Sequence, residues 1–288
     1  MDSFSPQPTY KRQRFLLSFI RQLQGGVSAT DLQKLIFLHT MEGHSDYYEF
    51  IPYKFGAYSF QLAEDIDVLR RNGFLLSNTS RIEATIKERR NEICSIAKER
   101  GNELIRKAYR QYPYYAINSE MIDRLFTGKE ALDFHKGKDK YAHTKPVLFT
   151  IGYEGRSIEN FINTLIQNNV RMLVDVRKNP ISRKFGFSKN KLKHITETIG
   201  IKYVHIPSLG IESEDRAFLK TRDDYRRLFT EYKKSLNQRE QPLNYLYTLF
   251  SANHRIALVC FEKEAKMCHR HVIRDYLVHA YAMRSIDL

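Results

Sequence analysis

The chain has 288 residues, about twice a usual domain length of roughly 150, so it is long enough for two cores. A hydrophobic fraction of 42% with 18 Phe and 18 Tyr excludes a disordered chain, and no stretch approaches the roughly 20 apolar residues a bilayer crossing needs. The net charge of +14 is uneven, with 22 Lys and Arg against 18 Asp and Glu over 1–143 but 25 against 15 over 144–288. Such a field favours a polyanionic partner such as nucleic acid or a nucleotide. Three cysteines in a chain of this size argue against a disulfide scaffold and fit a reducing compartment. The N-terminus lacks a signal-type apolar run, so a cytoplasmic location and no membrane association are expected.

From Lys11, apolar residues at Phe15, Leu16, Phe19, Ile20 and Leu23 share one helical face before Gly25 and Gly26. Ser28, with Asp31 three residues on, opens a second helix through Leu32, Leu35, Ile36 and Leu38. A Tyr/Phe-rich stretch follows, and a third helix through Leu62, Ile66 and Leu69 closes at Asn72-Gly73. Phe74 to Leu76, a turn over 77–80, and Ile82 to Ile86 predict a two-stranded wing. Helices followed by a small hairpin predict a mainly helical, winged-helix-like domain over 1–86. The segment KLIFLHT and the later run YYEFIPYKFGAYSFQLAEDIDVLRRNGFL resemble the YwgA-type winged-helix proteins and, more distantly, the Panacea antitoxin domain. The third helix carries Glu64, Asp65 and Asp67 against Arg70 and Arg71, and carboxylates repel phosphates, so both DNA and a protein remain candidate partners for this module.

Residues 87–111 predict a charged helix with Ile93, Ile96, Leu104 and Ile105 on its apolar face and Cys94 beside it. A short helix near Ser119 to Phe126 completes connecting helices over 87–126. The polar, aperiodic stretch over 127–145 predicts a linker.

Residues 146–288 alternate strand and helix. Val147–Ile151, Met172–Val176, Ile201–Ile206 and Ile256–Phe261 are strand-like; Ile158–Gln167, Ser188–Ile199, 215–236, 241–250 and His269–Tyr281 are helical. This predicts an α/β domain with a largely parallel sheet flanked by helices. In such sheets ligands collect at the carboxyl ends of the strands. Gly152, Glu154 and Arg156 follow the first strand, and Asp175, Arg177, Ser182 and Arg183 the second. His205 ends the third, Cys260 and Glu262 the fourth, and Cys268, His269 and Arg270 open the last helix.

This set resembles the DUF488 family, named as a domain of unknown function, through TIGYEG, DVR followed by Pro and Ser, YVHIPSLG, and the Cys-x-Glu with a Cys-His-Arg ending. The resemblance covers about 146–280 and implies a fold and a site location rather than a reaction. It carries over onto Gly152, Asp175, Arg177, Pro180, Ser182, Leu209, Gly210, Cys260, Glu262, Cys268, His269 and Arg270. Tyr153-Glu154 stands where the family often has His-Ser.

The catalytic candidates are Glu154, Asp175, Cys268 and His269. Glu154 and Asp175 would act as an acid and a charge-stabilising carboxylate, and Cys268 as a thiol made acidic by a helix start. Gly152, Arg156, Arg177, Ser182, Arg183, His205, Glu262 and Arg270 are the substrate-binding candidates, their guanidinium groups for phosphate. Ion pairing within the domain is the competing account of those charges, and packing that of the cysteines. A phosphatase-type loop from Cys260 to Lys266 is rejected because Glu262 and Glu264 would repel phosphate. No cofactor is expected; zinc or another divalent metal is the alternative, although Cys-x7-Cys-His matches no common finger or ribbon. Tyr and Arg interleave over 222–247, which fits base stacking or, more simply, an amphipathic core helix. The leading expectation is an enzyme hydrolysing an N-glycosidic or phosphoester bond of nucleic acid or a nucleotide, with a winged-helix recruitment module. The alternatives are a non-catalytic sensor of DNA or nucleotides, or a protein-binding component of a bacterial defence or toxin–antitoxin system.

Overall fold

A computed structural model describes residues 7–23, 25–77, 80–86, 98–216 and 219–288. The chain divides into two compact units, 1–139 and 140–288.

In the first unit, helix α1 spans Lys11–Gln22 and α2 spans Ala29–Met41. The Ser28 hydroxyl caps α2 by accepting from the Asp31 backbone N–H at 3.0 Å, as the spacing predicts. The Tyr/Phe-rich stretch forms an antiparallel hairpin, β1 (Ile51–Tyr53) and β2 (Gly56–Tyr58), before α3 (Phe60–Arg71). Beyond α3 the two arms meet through the bridge Leu75 to Ala84, and Ile82 pairs with Val27. Leu16, Leu35, Ile36, Leu62 and Leu69 are fully buried among these elements; each such side chain contributes about 1.5–3 kcal/mol. Asp65 does not lie on an open face of α3. It is 1% exposed and accepts from Arg12 Nε (2.6 Å), Gln13 Nε2 (2.7 Å) and Tyr48 Oη (3.0 Å).

Of the charged helix expected over 87–111, residues 87–97, with Cys94, lie outside the described residues; the described part is α4, Gly101–Gln111. The short helix α5 (Ile122–Leu125) follows. The linker expected over 127–145 holds instead the helix α6, Gly128–Asp139, whose Ala131 and Phe134 are buried with the rest of the first unit's core. Only two apolar residues face inward there, too few to show a helical period in so polar a run.

The second unit is built on a five-stranded, all-parallel sheet in the order β5-β4-β6-β3-β7. In chain order its elements are β3 (Val147–Gly152), α7 (Ile158–Gln167), β4 (Met172–Asp175), α8 (Lys189–Thr198) and β5 (Lys202–His205). Then come α9 (Ser213–Arg216), α10 (Arg222–Leu236), α11 (Glu240–Asn253), β6 (Arg255–Cys260), α12 (Arg270–Tyr281) and β7 (Ser285–Asp287). β3 and β6 are buried along their whole length, which is why their sequences are mostly apolar, with Thr150 and Arg255 the exceptions. The predicted 215–236 helix is two helices, because Thr221 caps α10 in a reciprocal capping box with Asp224 and so starts a new helix there. β7, three residues at the sheet edge beside β3, was absent from the expectations.

The chain leaves β4 toward β5 on one side of the sheet order and leaves β6 toward β7 on the other. Neighbouring strands whose connections diverge open a crevice at their carboxyl ends, here between Asp175 of β4 and Cys260 of β6.

Candidate functional site

Two imidazoles hold the backbone at the end of β4. His269 Nε2 lies 3.0 Å from the Val176 carbonyl oxygen, and His205 Nε2 lies 2.9 Å from that of Arg177. A carbonyl only accepts, so each Nε2 carries a hydrogen, and in the neutral ring the lone pair is then on Nδ1. His269 Nδ1 faces two buried thiols, Cys260 Sγ and Cys268 Sγ, each 3.8 Å away, and the three ligand atoms lie within 4.8 Å of one another. Glu262 Oε2 stands 3.6 Å from Cys260 Sγ.

Cys268 is not an acidic thiol. It lies in extended backbone two residues before α12, and burial pushes its pKa well up, aided by Cys260, with His269 acting the other way. A protonated thiol is a poor nucleophile, so the helix-start argument for Cys268 fails against desolvation.

Asp175 is likewise not a free acid. It is 0% exposed, and Arg177 grips it bidentately, Nε to Oδ1 at 2.8 Å and Nη2 to Oδ2 at 2.5 Å. Tyr203 Oη donates to the same Oδ2 at 2.6 Å. Arg177 Nη1 donates to the Phe187 carbonyl (2.8 Å) and to Tyr153 Oη (3.1 Å). Burial works against the Arg177 charge, yet the hydrogen bonds and charge of Asp175 outweigh it and hold the guanidinium's pKa above its usual value. Burial and then Asp175 raise that of Tyr203. The pair fastens the loop after β4 to the sheet, with Tyr153 stacked on Phe187 at 4.4 Å, and neither charge is left for phosphate or for acid–base work.

The loop after β6 is fixed from below. Glycine is required at position 152, where a Cβ would fall 1.8 Å from the Glu262 carbonyl oxygen. Arg270, 1% exposed, donates to the carbonyl oxygens of Glu262 (2.6 Å) and Lys263 (3.0 Å) and to Thr150 Oγ1 (3.3 Å), so it positions Glu262 rather than a ligand. Glu154 Oε2 accepts from the Lys263 backbone N–H at 2.9 Å and serves the same loop. Arg156 reaches Thr164 Oγ1 on α7 (3.1 Å); burial and then nearby Arg270 lower its pKa. Ser182 accepts from the Lys184 backbone N–H at 3.2 Å, and Arg183 is exposed on the same loop. The predicted site residues therefore divide: Cys260, Glu262, Cys268 and His269 gather at one place, while Asp175, Arg177, Glu154, Gly152 and Arg270 build its walls.

A pocket of about 270 Å³ opens on Glu262, Cys268 and His269, and Arg216, Tyr225, Phe229 and Met267 also line it. Arg216 Nε is buried with no hydrogen-bond partner among the described residues. Tyr225 and Phe229 stand four residues apart on α10 and share a face toward the pocket, whereas Tyr232 and Leu236 of the same helix pack into the core. The rings of the interleaved Tyr and Arg stretch thus divide between the pocket and the core. Arg216 was missed; its short helix carries no periodic signal.

Residues 157–277 match the family described as Domain of unknown function DUF488. The matched DUF488 segment includes β4, β6 and the Cys268–Arg270 run, while the TIGYEG motif precedes it. Neither a curated protein nor a solved structure matches the chain. No helix among the described residues is long and apolar enough to cross a membrane.

Proposed function

We propose that the C-terminal unit is a hydrolase of a nucleotide or nucleic acid, acting at the pocket beside the β4–β6 crevice. One observation carries this reading: that pocket brings together a carboxylate (Glu262), a guanidinium whose Nε has no partner among the described residues (Arg216) and two aromatic rings (Tyr225, Phe229). The rings supply stacking faces for a base, the guanidinium a forked donor for phosphate, and Glu262 a group that moves a proton at the scissile bond. Two aromatic faces beside a half-buried carboxylate suit departure of a base, which favours the N-glycosidic over the phosphoester bond. The basic excess of residues 144–288 draws the polyanion in.

A second reading, a sensor that holds the same ligand without turnover, is favoured by Glu262 being the one carboxylate that lines this pocket among the described residues, since glycosidic cleavage ordinarily uses two. In either case we propose that the N-terminal unit is a winged-helix recruitment module. With Asp65 buried, the outer charges of α3 reduce to Glu64 and Asp67 against Arg70 and Arg71, a balanced set that no longer repels DNA.

The test is incubation of the purified full chain with labelled single- and double-stranded DNA, RNA and free nucleotides, with and without divalent metal, beside Glu262→Gln. Product from the wild type but not from Glu262→Gln supports the hydrolase. Retained ligand without product supports the sensor, and neither ligand nor product would refute both.

A further inference from the structure

The cluster of Cys260, Cys268 and His269 has a shape that packing alone does not require. Tetrahedral zinc, with metal–sulfur bonds of about 2.3 Å and metal–nitrogen bonds of about 2.0–2.1 Å, sets its sulfur and nitrogen ligands about 3.6 Å apart. Both thiols stand 3.8 Å from His269 Nδ1, close to that separation before any cation draws them in. The imidazole is also held in the tautomer a metal needs, because its other nitrogen donates to the Val176 carbonyl. All three side chains are buried, so the strands and the start of α12 fix their positions.

We propose that Cys260, Cys268 and His269 form a binding site for a thiophilic divalent cation, Zn²⁺ foremost, whose fourth coordination position faces the pocket beside Glu262. Two thiolates and a neutral imidazole suit zinc, and three protein ligands with an open fourth position make the kind of site that keeps a water or a substrate atom on the metal. Binding replaces two S–H hydrogens: two protons leave, two thiolates form, and the 2+ charge cancels theirs, so no net charge is buried. His269, as the neutral imidazole, contributes its Nδ1 lone pair, which the departing thiol hydrogens leave to the metal. Glu262, 3.6 Å from Cys260 Sγ, stands where it can accept a proton from a metal-bound water.

The inference does not need the hydrolase reading, and its test reads metal binding alone. The full chain, reduced and freed of metal with a chelator, is titrated with Co²⁺ and then with Zn²⁺. The expected result is one cobalt per chain with a thiolate-to-cobalt charge-transfer band, bleached by one equivalent of Zn²⁺. Cys260→Ser and Cys268→Ser each weaken binding by more than about 100-fold, beyond the 10–100-fold typical of changes next to a ligand. Cys94→Ser, the remaining cysteine, leaves the band unchanged. Because either site variant could unfold, the wild-type band and stoichiometry are decisive by themselves. A folded, reduced wild type without the band overturns the proposal, as does a band that survives both site variants or vanishes in Cys94→Ser. A protein that binds the metal but yields no hydrolysis product upholds the site and sinks only the hydrolase.

Discussion

Replacing Asp175 by Asn tests whether this residue builds the site or performs its chemistry. In the wild type two carboxylate oxygens receive four donors: Arg177 Nε, Nη2 and backbone N–H, and Tyr203 Oη. An amide keeps the shape but turns an –NH₂ toward a guanidinium N–H whichever way it lies, and it leaves Arg177, 6% exposed, as a cation with no anion beside it. Removing one partner of a buried ion pair costs about 3–5 kcal/mol. We therefore expect Asp175→Asn to lower stability by that amount, with accelerated amide exchange concentrated in β4 and β5. Tyr203→Phe, which loses one hydrogen bond to a charged group, should cost about 1.5–3 kcal/mol. Replacing the pair together, Asp175→Leu with Arg177→Met, should cost less than the two single changes added, because no charge is orphaned. Denaturant unfolding of the full chain, followed residue by residue by hydrogen exchange, reads each of these variants and the two single changes behind the double. An Asp175→Asn protein within about 1 kcal/mol of wild type would refute the structural assignment, and if it had also lost turnover, Asp175 would return as a chemical participant.

Two other expectations concern different parts of the fold. Lys34, 2% exposed and donating to the Ala57 carbonyl at 2.7 Å, has its pKa brought down by burial, against a smaller opposing effect of Asp31, to about 7. Between that value and the ordinary 10.5 the unfolded chain binds the extra proton, so stability rises with pH through this window and is flat, as far as Lys34 is concerned, below it. Relative to Lys34→Met, the wild type should gain ~2–3 kcal/mol between about pH 7 and about pH 9, at about 1.36 kcal/mol per pH unit; parallel curves in thermal unfolding would contradict this. Gly152→Ala forces a methyl against the Glu262 carbonyl oxygen and should cost at least about 1–3 kcal/mol, measured as a lowered melting temperature. An unshifted melt would mean that the Glu262 loop is not held where it stands.

Periodicity made most elements of the second unit legible. β3 and β6 carry mostly apolar runs because both of their faces are covered, and α7 and α12 carry one apolar stripe each because one face is. Where few side chains face inward the signal vanished: α6 passed for a linker, and β7, pairing only along one edge, left no pattern. Placing Cys260, Glu262, Cys268 and His269 at the carboxyl ends of the strands was also within reach of the sequence, since strand ends follow from strand limits. Their use was not. Whether a carboxylate is free or gripped depends on what the other strands bring beside it, and Asp175 met Arg177 and Tyr203, the latter 28 residues away. The acidity of Cys268 likewise turned on burial, which no local pattern encodes. The amino-acid order by itself thus fixed which residues form the elements and which reactive groups lie at their tips, because those depend on neighbours along the chain. Only the tertiary structure decided which of these groups are consumed by one another and which face an open pocket, because partnership and desolvation are set by residues far apart in sequence.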